Sequence, residues 1–522
     1  MLRLVFFVLP LLAFGNPMDF SGHCSQGTEV KTPFGAVKGI RYKDKPELVK
    51  PWNDTYLACS YGLNCHVFTD LSYNRKTSDD CLFMNIFAPS TSSPDPSGYP
   101  VLVFINGGGF AFGLADTYHP EVLSENFANR GIIFVTLNYR VGPFGFFATG
   151  DAAAPGNNGL WDQTAALQFV KSAIGGFGGN PGRITVAGHS AGSICVTALT
   201  LSTHSRDLFQ QAIMMSGSLF SSSLLADRVI VQSALVAKAS GCDRGANTSA
   251  TLSCMEKIPG ESYNPLYNQL PPLDEDLIGS RFNPRVDGDF LVYDLRKLLT
   301  FAPPKPTIMG VTDLEAGIFI MVAMNIPVSV KSTERATYND EKLDLLIREF
   351  YGSPSRLYEL IRGFYVDQPQ GNFTRNAGFY LTRLANLAGD VTFVIPVLQE
   401  AESKKGAGWP IFLYLQKDID AEHKGFPIRG TFHDTEIKHL MHKIAQTEYE
   451  NSMLEGFVSF VKTGRPVVKG TLWNPTSTTH PGQHFIFGAQ NRMMEEDLMK
   501  DTADLWLRKI PNEMRKLAIP LI

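Results

Sequence analysis

One serine between two glycines is the strongest candidate for chemistry in this chain of 522 residues. Residues 188–192 read GHSAG and fit the pattern G-x-S-x-G, in which a serine on a sharp strand-to-helix turn attacks a carbonyl group. Gly188 and Gly192 are needed because neighbouring backbone passes very close to such a turn. In a chain this rich in glycine the pattern arises by chance about 0.3 times, so a structural turn at Ser190 remains open.

The flanking sequence favours the nucleophile over the structural turn. The run Arg183–Ala187 has the apolar character of a buried strand, and Ser193–Leu201 has that of the helix that should follow it. A strand, a turn and a helix are the context that the motif requires. His189, next to the serine, is predicted to point away from the reacting hydroxyl.

A glycine-rich segment supplies candidates for stabilising negative charge. Asn106 is followed by three glycines and Phe110, directly after the apolar run Val101–Ile105. Glycines let backbone N–H groups face the developing oxyanion of an ester, and the sequence predicts donors at Gly108, Gly109 and Ala191. A simple loop at a strand end is the alternative. A phosphate loop is disfavoured because its lysine is missing.

The acid and base that a serine nucleophile requires should follow in that order along the chain. Seven histidines and many carboxylates come after Ser190, and spacing alone does not choose among them.

Several longer motifs resemble those of the type-B carboxylesterase and cholinesterase family. The similarity extends, with gaps, from about Thr32 to Phe487. It implies an α/β-hydrolase fold, with a central, mostly parallel sheet flanked by helices and with helical insertions. The alternation of strand-like and helix-like segments also favours this α/β class. The motifs are SDDCLFMNIFAP at 78–89, NYRVG at 138–142, NGLWDQ at 158–163 and FGGNP at 177–181.

The resemblance selects the acid and the base. The segment 310–315 resembles the family's acid loop and makes Glu315 the acid, and 430–436 resembles its histidine loop and makes His433 the base. Asp313 is a rival acid two residues away. His439 and His442 are rival bases, with solvated helix positions as their simpler interpretation. Asp434 and Glu436 are expected to be surface or supporting groups.

The resemblance also implies supporting residues. Ser216 matches a serine near the catalytic groups, and Arg140 with Asp162 matches a structural ion pair. Phe282 and Phe319 are predicted to form the wall around the acyl group of the substrate.

The predicted substrate is a neutral ester. A cholinesterase holds its cationic substrate on aromatic faces, chiefly on a tryptophan in the first disulfide loop. The loop 65–81 contains no tryptophan and has Leu71 near the matching position, with Tyr73 as the one remaining aromatic residue. Ile318 replaces a second expected aromatic residue. The chain also lacks a stretch that the family has between Ile40 and Pro51, which would supply an edge strand and an arginine partner for Asp79.

The N-terminus predicts a secreted or lumenal protein. Arg3 precedes the apolar run Leu4–Phe14, and small residues before Asn16 fit cleavage of a signal peptide spanning 1–15. Residues 16–522 would then form one carboxylesterase-type domain. A buried N-terminal strand is the alternative.

Secretion makes disulfides expected. Cys65 with Cys81 and Cys242 with Cys254 are close pairs that also match two usual bridges of the family; Cys24 with Cys59 is a third candidate, and Cys195 is expected to be a buried thiol. Glycosylation sequons occur at Asn53, Asn247 and Asn372.

Composition narrows the function further. A net charge of −4 and the absence of basic tracts argue against nucleic-acid binding. No later apolar run reaches membrane-spanning length, and neither a zinc site nor a cofactor is indicated. The interpretation is a secreted serine carboxylic ester hydrolase that forms an acyl-enzyme from a small neutral ester. The alternatives are a neuroligin-like binding or adhesion protein and a slow ester or organophosphate scavenger. The oligomeric state is not indicated.

Overall fold

The computed structural model describes residues 5–10, 37–38, 45–48, 61–69, 76–113, 115–221, 227–273, 277–322, 326–352, 355–367, 374–417, 425–488, 491–494 and 496–516. Ten strands of this part of the chain form one large sheet. They are β1 (Val5–Pro10), β2 (Phe83–Ala88), β3 (Tyr99–Ile105), β4 (Ile133–Leu137), β5 (Gly179–His189), β6 (Gln211–Met215), β7 (Thr307–Thr312), β8 (Ile411–Lys417), β9 (His484–Gly488) and β10 (Arg492–Met494).

The order of the strands across the sheet is β1-β2-β4-β3-β5-β6-β7-β8-β9-β10. The seven strands β3 to β9 run parallel to one another. Strands β1 and β2 at one edge and β10 at the other pair antiparallel with their neighbours. The parallel strands are almost continuously apolar because helices cover both faces of the sheet. Two small pairs lie apart from it, Val37–Lys38 with Glu47–Leu48 and Val467–Val468 with Thr471–Leu472.

Helices connect the strands and build the insertions. They are α1 (Pro120–Asn126), α2 (Gly142–Phe146), α3 (Asn158–Ala173), α4 (Ala191–Leu201), α5 (Arg228–Ala239), α6 (Thr248–Met255), α7 (Leu295–Phe301), α8 (Gly317–Met321), α9 (Asp340–Tyr351), α10 (Arg356–Arg362), α11 (Ala377–Gly389), α12 (Ile395–Gly406), α13 (Thr435–Ile437), α14 (Glu448–Thr463), α15 (Lys500–Asp504) and α16 (Ile510–Lys516). The α/β class and the mostly parallel sheet predicted from the sequence are confirmed.

A π-helical turn at Asp390–Val394 joins α11 and α12 into one helix, Ala377–Gly406. Among the described residues this is the one helix that is long and apolar enough to cross a membrane. However, 72% of its most apolar stretch is buried inside the fold. It packs as a core helix, because Leu381, Leu384 and Val397 have almost no exposed surface.

The N-terminal strand β1 occupies an edge of the sheet. Val5–Pro10 pairs antiparallel with β2 from Val5 opposite Ala88 to Pro10 opposite Phe83. The alternative to a signal peptide anticipates a strand here, and β1 is a strand. The predicted cleavage after Gly15 lies outside the described residues and stays a prediction.

Both predicted close disulfides are formed. Cys65 is bonded to Cys81, and Cys242 to Cys254. Cys195 is a buried thiol, as predicted. Cys24 and Cys59 lie outside the described residues.

Of the three sequons, only Asn247 is described. It is exposed, and its side chain accepts a hydrogen bond from the Ala250 N–H at the start of α6. Asn53 and Asn372 lie outside the described residues, and all three sites remain predictions.

Candidate active site

The residues predicted to carry the chemistry meet at the carboxyl edge of the sheet. Ser190 follows β5, Ser216 follows β6, Glu315 follows β7, and His433 lies in the connection after β8. The carboxyl ends of neighbouring parallel strands lie side by side, so residues far apart in sequence come together there. The sheet therefore positions the whole candidate site.

Ser190 has the backbone conformation of a strained turn, with φ at 57°. The glycines around it are required by close backbone. A Cβ atom on Gly188 would lie 2.3 Å from the Gly192 carbonyl oxygen, and one on Gly192 would lie 2.1 Å from that of Ile105. The Ser190 N–H donates to the Met215 carbonyl oxygen at 2.9 Å, which fixes the turn against β6. The predicted strand–turn–helix context is confirmed.

The glycine-rich loop lies against this turn. A Cβ atom on Gly107 would lie 2.6 Å from the His189 carbonyl oxygen, so only glycine allows the two segments to approach. Gly108 and Gly109 have φ values of 120° and 59°. Among the described residues, the N–H groups of Gly108, Gly109 and Ala191 have no backbone acceptor. These donors are therefore available to an oxyanion near Ser190.

His433 and Glu315 form a buried hydrogen-bonded pair. The His433 Nδ1–H donates to Glu315 Oε2 at 2.7 Å, which leaves Nε2 as the acceptor of the neutral ring. Among the described residues Nε2 has no hydrogen-bond partner. The hydrogen bond to Ser190 Oγ is not formed in this arrangement, and such contacts often tighten only with substrate bound.

The rival acid and bases have other partners. Asp313 accepts a hydrogen bond from the Thr431 N–H at 2.7 Å, so it ties the loop after β7 to the histidine loop. His439 packs against Tyr449, and His442 packs against Tyr118.

Ser216 bridges two buried carboxyl groups. Its Oγ lies 2.7 Å from Glu315 Oε1 and 2.9 Å from Glu436 Oε1, and Tyr414 donates to Glu436 Oε1 at 2.9 Å. These three contacts need three protons, while the two hydroxyl groups supply only two. The third proton has to come from a carboxyl group. Glu315 also accepts the Thr312 N–H at 2.7 Å and the His433 N–H, so the extra proton belongs on Glu436.

Burial sets the protonation states in this cluster. It raises the pKa of both Glu315 and Glu436, and the two carboxyl groups repel each other's charge. The hydrogen bonds counted above assign the pair one proton. Burial also lowers the pKa of His433 to about 4, against the weaker opposing effect of Asp434. The imidazole is consequently neutral at pH 7, the state in which Nε2 can accept a proton.

His189 faces the site, so the prediction that it points away is wrong. Its ring centroid lies 4.6 Å from that of His433, and its Nε2 lies 2.6 Å from the His433 carbonyl oxygen. Burial lowers the pKa of His189 to about 3. The neutral ring therefore donates to this carbonyl group and supports the histidine loop.

A cavity of about 350 Å³ opens in front of Ser190. Phe282 and Phe319 line it, as predicted for an acyl wall. Sequence reasoning missed Phe393, whose ring centroid lies 4.3 Å from that of His433, and Arg281, whose side chain is buried in the cavity wall. A charged residue inside the apolar segment 277–282 was the available signal for Arg281.

Two features used to predict the substrate cannot be placed. Leu71 and Tyr73 lie outside the described residues, as do most positions around the missing stretch between Ile40 and Pro51. Within the described part of the chain, no three metal-ligating side chains come together.

Comparison with known proteins agrees with this architecture. Residues 31–506 match the model of the carboxylesterase family. Gut esterase 1 of Caenorhabditis briggsae is 30% identical over 93% of this chain and 93% of its own length. Acetylcholinesterase of Bungarus fasciatus is 31% identical over 92% of this chain and 81% of its own, and carboxylesterase 1D of Rattus norvegicus is 30% identical over 74% and 69%.

The fold and these similarities define an α/β-hydrolase that cleaves esters. The chain belongs to the carboxylesterase family and is a carboxylic ester hydrolase acting on small-molecule esters. The relatives include both carboxylesterases and an acetylcholinesterase, so similarity is compatible with either a neutral or a cationic alcohol as the leaving group.

Proposed function

We propose that this hydrolase is a secreted serine carboxylesterase that acts through an acyl-enzyme, with Ser190, His433 and Glu315 as its catalytic residues. The observation that carries the proposal is the buried hydrogen bond of 2.7 Å between His433 and Glu315, which leaves Nε2 of a neutral imidazole available beside the strained turn of Ser190. This combination of groups suits proton removal from a serine hydroxyl.

In the acylation step, Ser190 Oγ attacks the ester carbonyl carbon and its proton moves to His433 Nε2. The carbonyl oxygen becomes an oxyanion and accepts hydrogen bonds from the N–H groups of Gly108, Gly109 and Ala191. Glu315 stabilises the imidazolium that forms. The tetrahedral intermediate then collapses, the bond to the alcohol oxygen breaks, and His433 gives its proton to the leaving alcohol.

The deacylation step repeats this chemistry with water. His433 takes a proton from the attacking water, the oxyanion forms again at the same N–H groups, and Ser190 regains its proton as the acid leaves. No residue other than those of the first step is required.

This turnover distinguishes an esterase from the two alternatives. A neuroligin-like binding protein would not be acylated, and a scavenger would be acylated but turn over slowly. A pre-steady-state experiment with a nitrophenyl ester measures both steps, since the burst amplitude reports acylation and the linear phase reports turnover. We expect a burst or linear phase that disappears after organophosphate labelling of Ser190. Labelling at another serine would contradict the proposal.

The proposed substrates are esters of uncharged alcohols. Among the described residues that line the cavity there is no tryptophan and no carboxylate, and Arg281 is the one permanently charged residue. A quaternary ammonium group would therefore lack the tryptophan face that binds cations best, a contact of about 0.5–2 kcal/mol, and would meet a positive charge.

The matched comparison is acetylthiocholine against 3,3-dimethylbutyl thioacetate, in which carbon replaces the charged nitrogen. We expect kcat/KM for the uncharged thioester to be at least about tenfold higher, since about 1.4 kcal/mol corresponds to one decade. A clear preference for acetylthiocholine would contradict the neutral-ester assignment and leave the esterase assignment intact.

The proposed compartment rests on the two disulfides and on the N-terminal sequence. Disulfides persist in oxidising compartments, which fits a protein that leaves the cytosol. We expect the secreted protein to begin at Asn16 and to form one domain over 16–522. N-terminal sequencing tests the cleavage, and the mass change on deglycosylation tests Asn53, Asn247 and Asn372. A mature chain that retains Val5–Pro10 would contradict the signal peptide.

A further inference from the structure

Arg281 is a buried cation in the wall of the catalytic cavity. The residue is 4% exposed and lies beside Phe282, the predicted acyl-wall residue. Its Nη1 donates to the Gln232 side-chain oxygen at 2.8 Å, and its Nη2 donates to the Pro271 carbonyl oxygen at 2.6 Å. Its carbon Cζ lies 4.8 Å from the centroid of the Tyr267 ring, which also lines the cavity. All of these partners are neutral, so they fix the guanidinium without cancelling its charge.

A second buried arginine shows the usual arrangement. Arg140 is 6% exposed and donates to both carboxylate oxygens of Asp162, at 2.8 and 2.6 Å. In the described part of the chain no carboxylate lies within ion-pairing distance of Arg281, and its Nε has no hydrogen-bond partner. Removing a charge from water is unfavourable unless an opposite charge compensates. A bound anion would provide this compensation for Arg281.

The position of Arg281 relative to the oxyanion loop indicates which part of a substrate carries that anion. Ser280 Oγ lies 2.5 Å from the Gly109 carbonyl oxygen and 2.8 Å from that of Phe282. The segment 280–282 is thus attached to the loop that would hold the reacting carbonyl oxygen. Phe68 packs edge-on against both Tyr267 and Phe282, so these three rings form one continuous part of the cavity wall.

We propose that Arg281 selects esters whose acid part carries a second carboxylate, the half-esters of dicarboxylic acids with an uncharged alcohol. The proposal rests on the serine-esterase function above and names a preferred class of acid for the same site. The reaction itself is unchanged: Ser190 forms the acyl bond to the ester carbonyl, the alcohol leaves, and the second carboxylate remains ionised beside Arg281.

The test compares 1-naphthyl hydrogen adipate with 1-naphthyl methyl adipate, which differ in one negative charge far from the reacting ester. The measured quantity is the ratio of kcat/KM for the anionic ester to that for the neutral ester. In Arg281→Met we expect this ratio to fall by about tenfold or more, as for the loss of a hydrogen bond to a charged group. Met retains the apolar stem, and any loss with the neutral ester reports the structural role of the guanidinium, which cancels in the ratio.

Two variants serve as controls. Arg285→Met removes an arginine four residues away that pairs with Asp227 at 2.8 Å outside the cavity lining, and the ratio should stay at the wild-type value. Arg281→Lys retains the charge and should recover part of the ratio, which a purely structural role of the guanidinium would not produce.

A wild-type ratio no higher than that of Arg281→Met would overturn the proposal. This includes the case in which Asp274, Glu275 or Asp276, which lie outside the described residues, neutralise the arginine. Equal losses with both esters would also overturn it and make Arg281 a packing residue. A preference for an anion on the alcohol would overturn the assignment to the acid part. Failure of the esterase function is distinct, because Ser190→Ala would then hydrolyse the neutral ester as fast as the wild type.

Discussion

The two sides of the catalytic cavity are built differently. On the catalytic side, Ser216, Glu315, His433 and Glu436 are buried and joined by hydrogen bonds of 2.7–2.9 Å. On the substrate side, Phe282 and Phe319 meet their neighbours through ring contacts with centroids more than 5 Å apart. Polar contacts require defined partners and angles, while apolar contacts tolerate exchange of side chains of similar volume.

The comparison teaches which part of the function a sequence can specify. The catalytic side depends on particular residues at particular positions, so motifs identify it. The substrate side depends on volume and charge, which a motif does not encode. Substitutions should therefore abolish turnover on the first side and change selectivity on the second.

The largest effect is expected for Ser190→Ala. Without the hydroxyl no acyl-enzyme forms, and kcat should fall by about 10⁴-fold or more, while the N–H donors still support slight residual hydrolysis. Steady-state hydrolysis of a nitrophenyl ester measures this. Ser193→Ala, three residues along on α4, is the matched control and should stay active, since its hydroxyl donates to the Gly217 carbonyl oxygen. Turnover retained in Ser190→Ala would remove the basis of the comparison.

A second pair of variants distinguishes the roles of the two buried carboxyl groups, Glu315 and Glu436. Glu315→Gln removes the anion that orients His433, and kcat should fall by about 10³- to 10⁴-fold. Glu436→Gln instead imitates the protonated acid that the hydrogen bonds of Ser216 and Tyr414 indicate, so kcat should stay within about tenfold of the wild type.

Circular dichroism should show that both variants are folded. Equal losses in Glu315→Gln and Glu436→Gln would contradict the assignment of the shared proton to Glu436. Asp313→Asn tests the rival acid and should lose far less activity than Glu315→Gln, because Asp313 contacts Thr431 instead of His433.

The sequence predicted some residues of the catalytic side from steric requirements and others only from family resemblance. The turn at Ser190 and the loop at Gly108 and Gly109 followed from steric requirements that only glycine meets. Glu315 and His433 followed from family resemblance, since they lie 118 residues apart and only the sheet brings them together. The buried bridge through Ser216 to Glu436 was beyond prediction, because burial of a carboxyl group depends on tertiary packing.

The third prediction concerns pH and has a smaller effect. His433 must be neutral to accept the serine proton, so kcat/KM falls as the pH falls through its pKa. For an ordinary histidine this occurs near pH 6.5; burial lowers the pKa of His433, and the ionised Glu315, 2.7 Å from the ring, opposes this shift. We expect burial to be the larger effect, so the midpoint should lie below 6.5 and the rate at pH 6.5 should exceed half of that at pH 7.5. A titration of kcat/KM with an uncharged ester measures it, and a midpoint at or above 6.5 would show that the charge of Glu315 outweighs burial.

The smallest effect is expected on the substrate side. Phe282→Leu reduces the volume of a side chain that lines the cavity, so the kcat/KM ratio of a branched acyl ester to an acetate ester should rise about three- to tenfold. Phe290→Leu is the matched control, since Phe290 is buried against Trp161 outside the cavity lining. The same change in both variants would indicate general loosening of the core.

His189 and Arg281 show why individual side chains of the site were harder to predict than its motifs. His189 was expected to point away from the reacting hydroxyl, but its ring extends to His433. Arg281 carries no motif, and its burial depends on Gln232 and Pro271, which only the folded chain brings near it. The positions of both side chains depend on tertiary packing, which patterns in a single sequence do not describe.

The shared proton at Ser216 also has a vibrational consequence. A protonated carboxyl group absorbs infrared light at a higher frequency than a carboxylate, in a region free of amide bands. Because Ser216 lies between Glu315 and Glu436 and the pair holds one proton, this pair should contribute one buried C=O stretch of this kind at neutral pH. The band should shift little in heavy water, where a shielded proton exchanges slowly, and Glu436→Gln should remove it. The protonation state of the active site would then be visible without substrate.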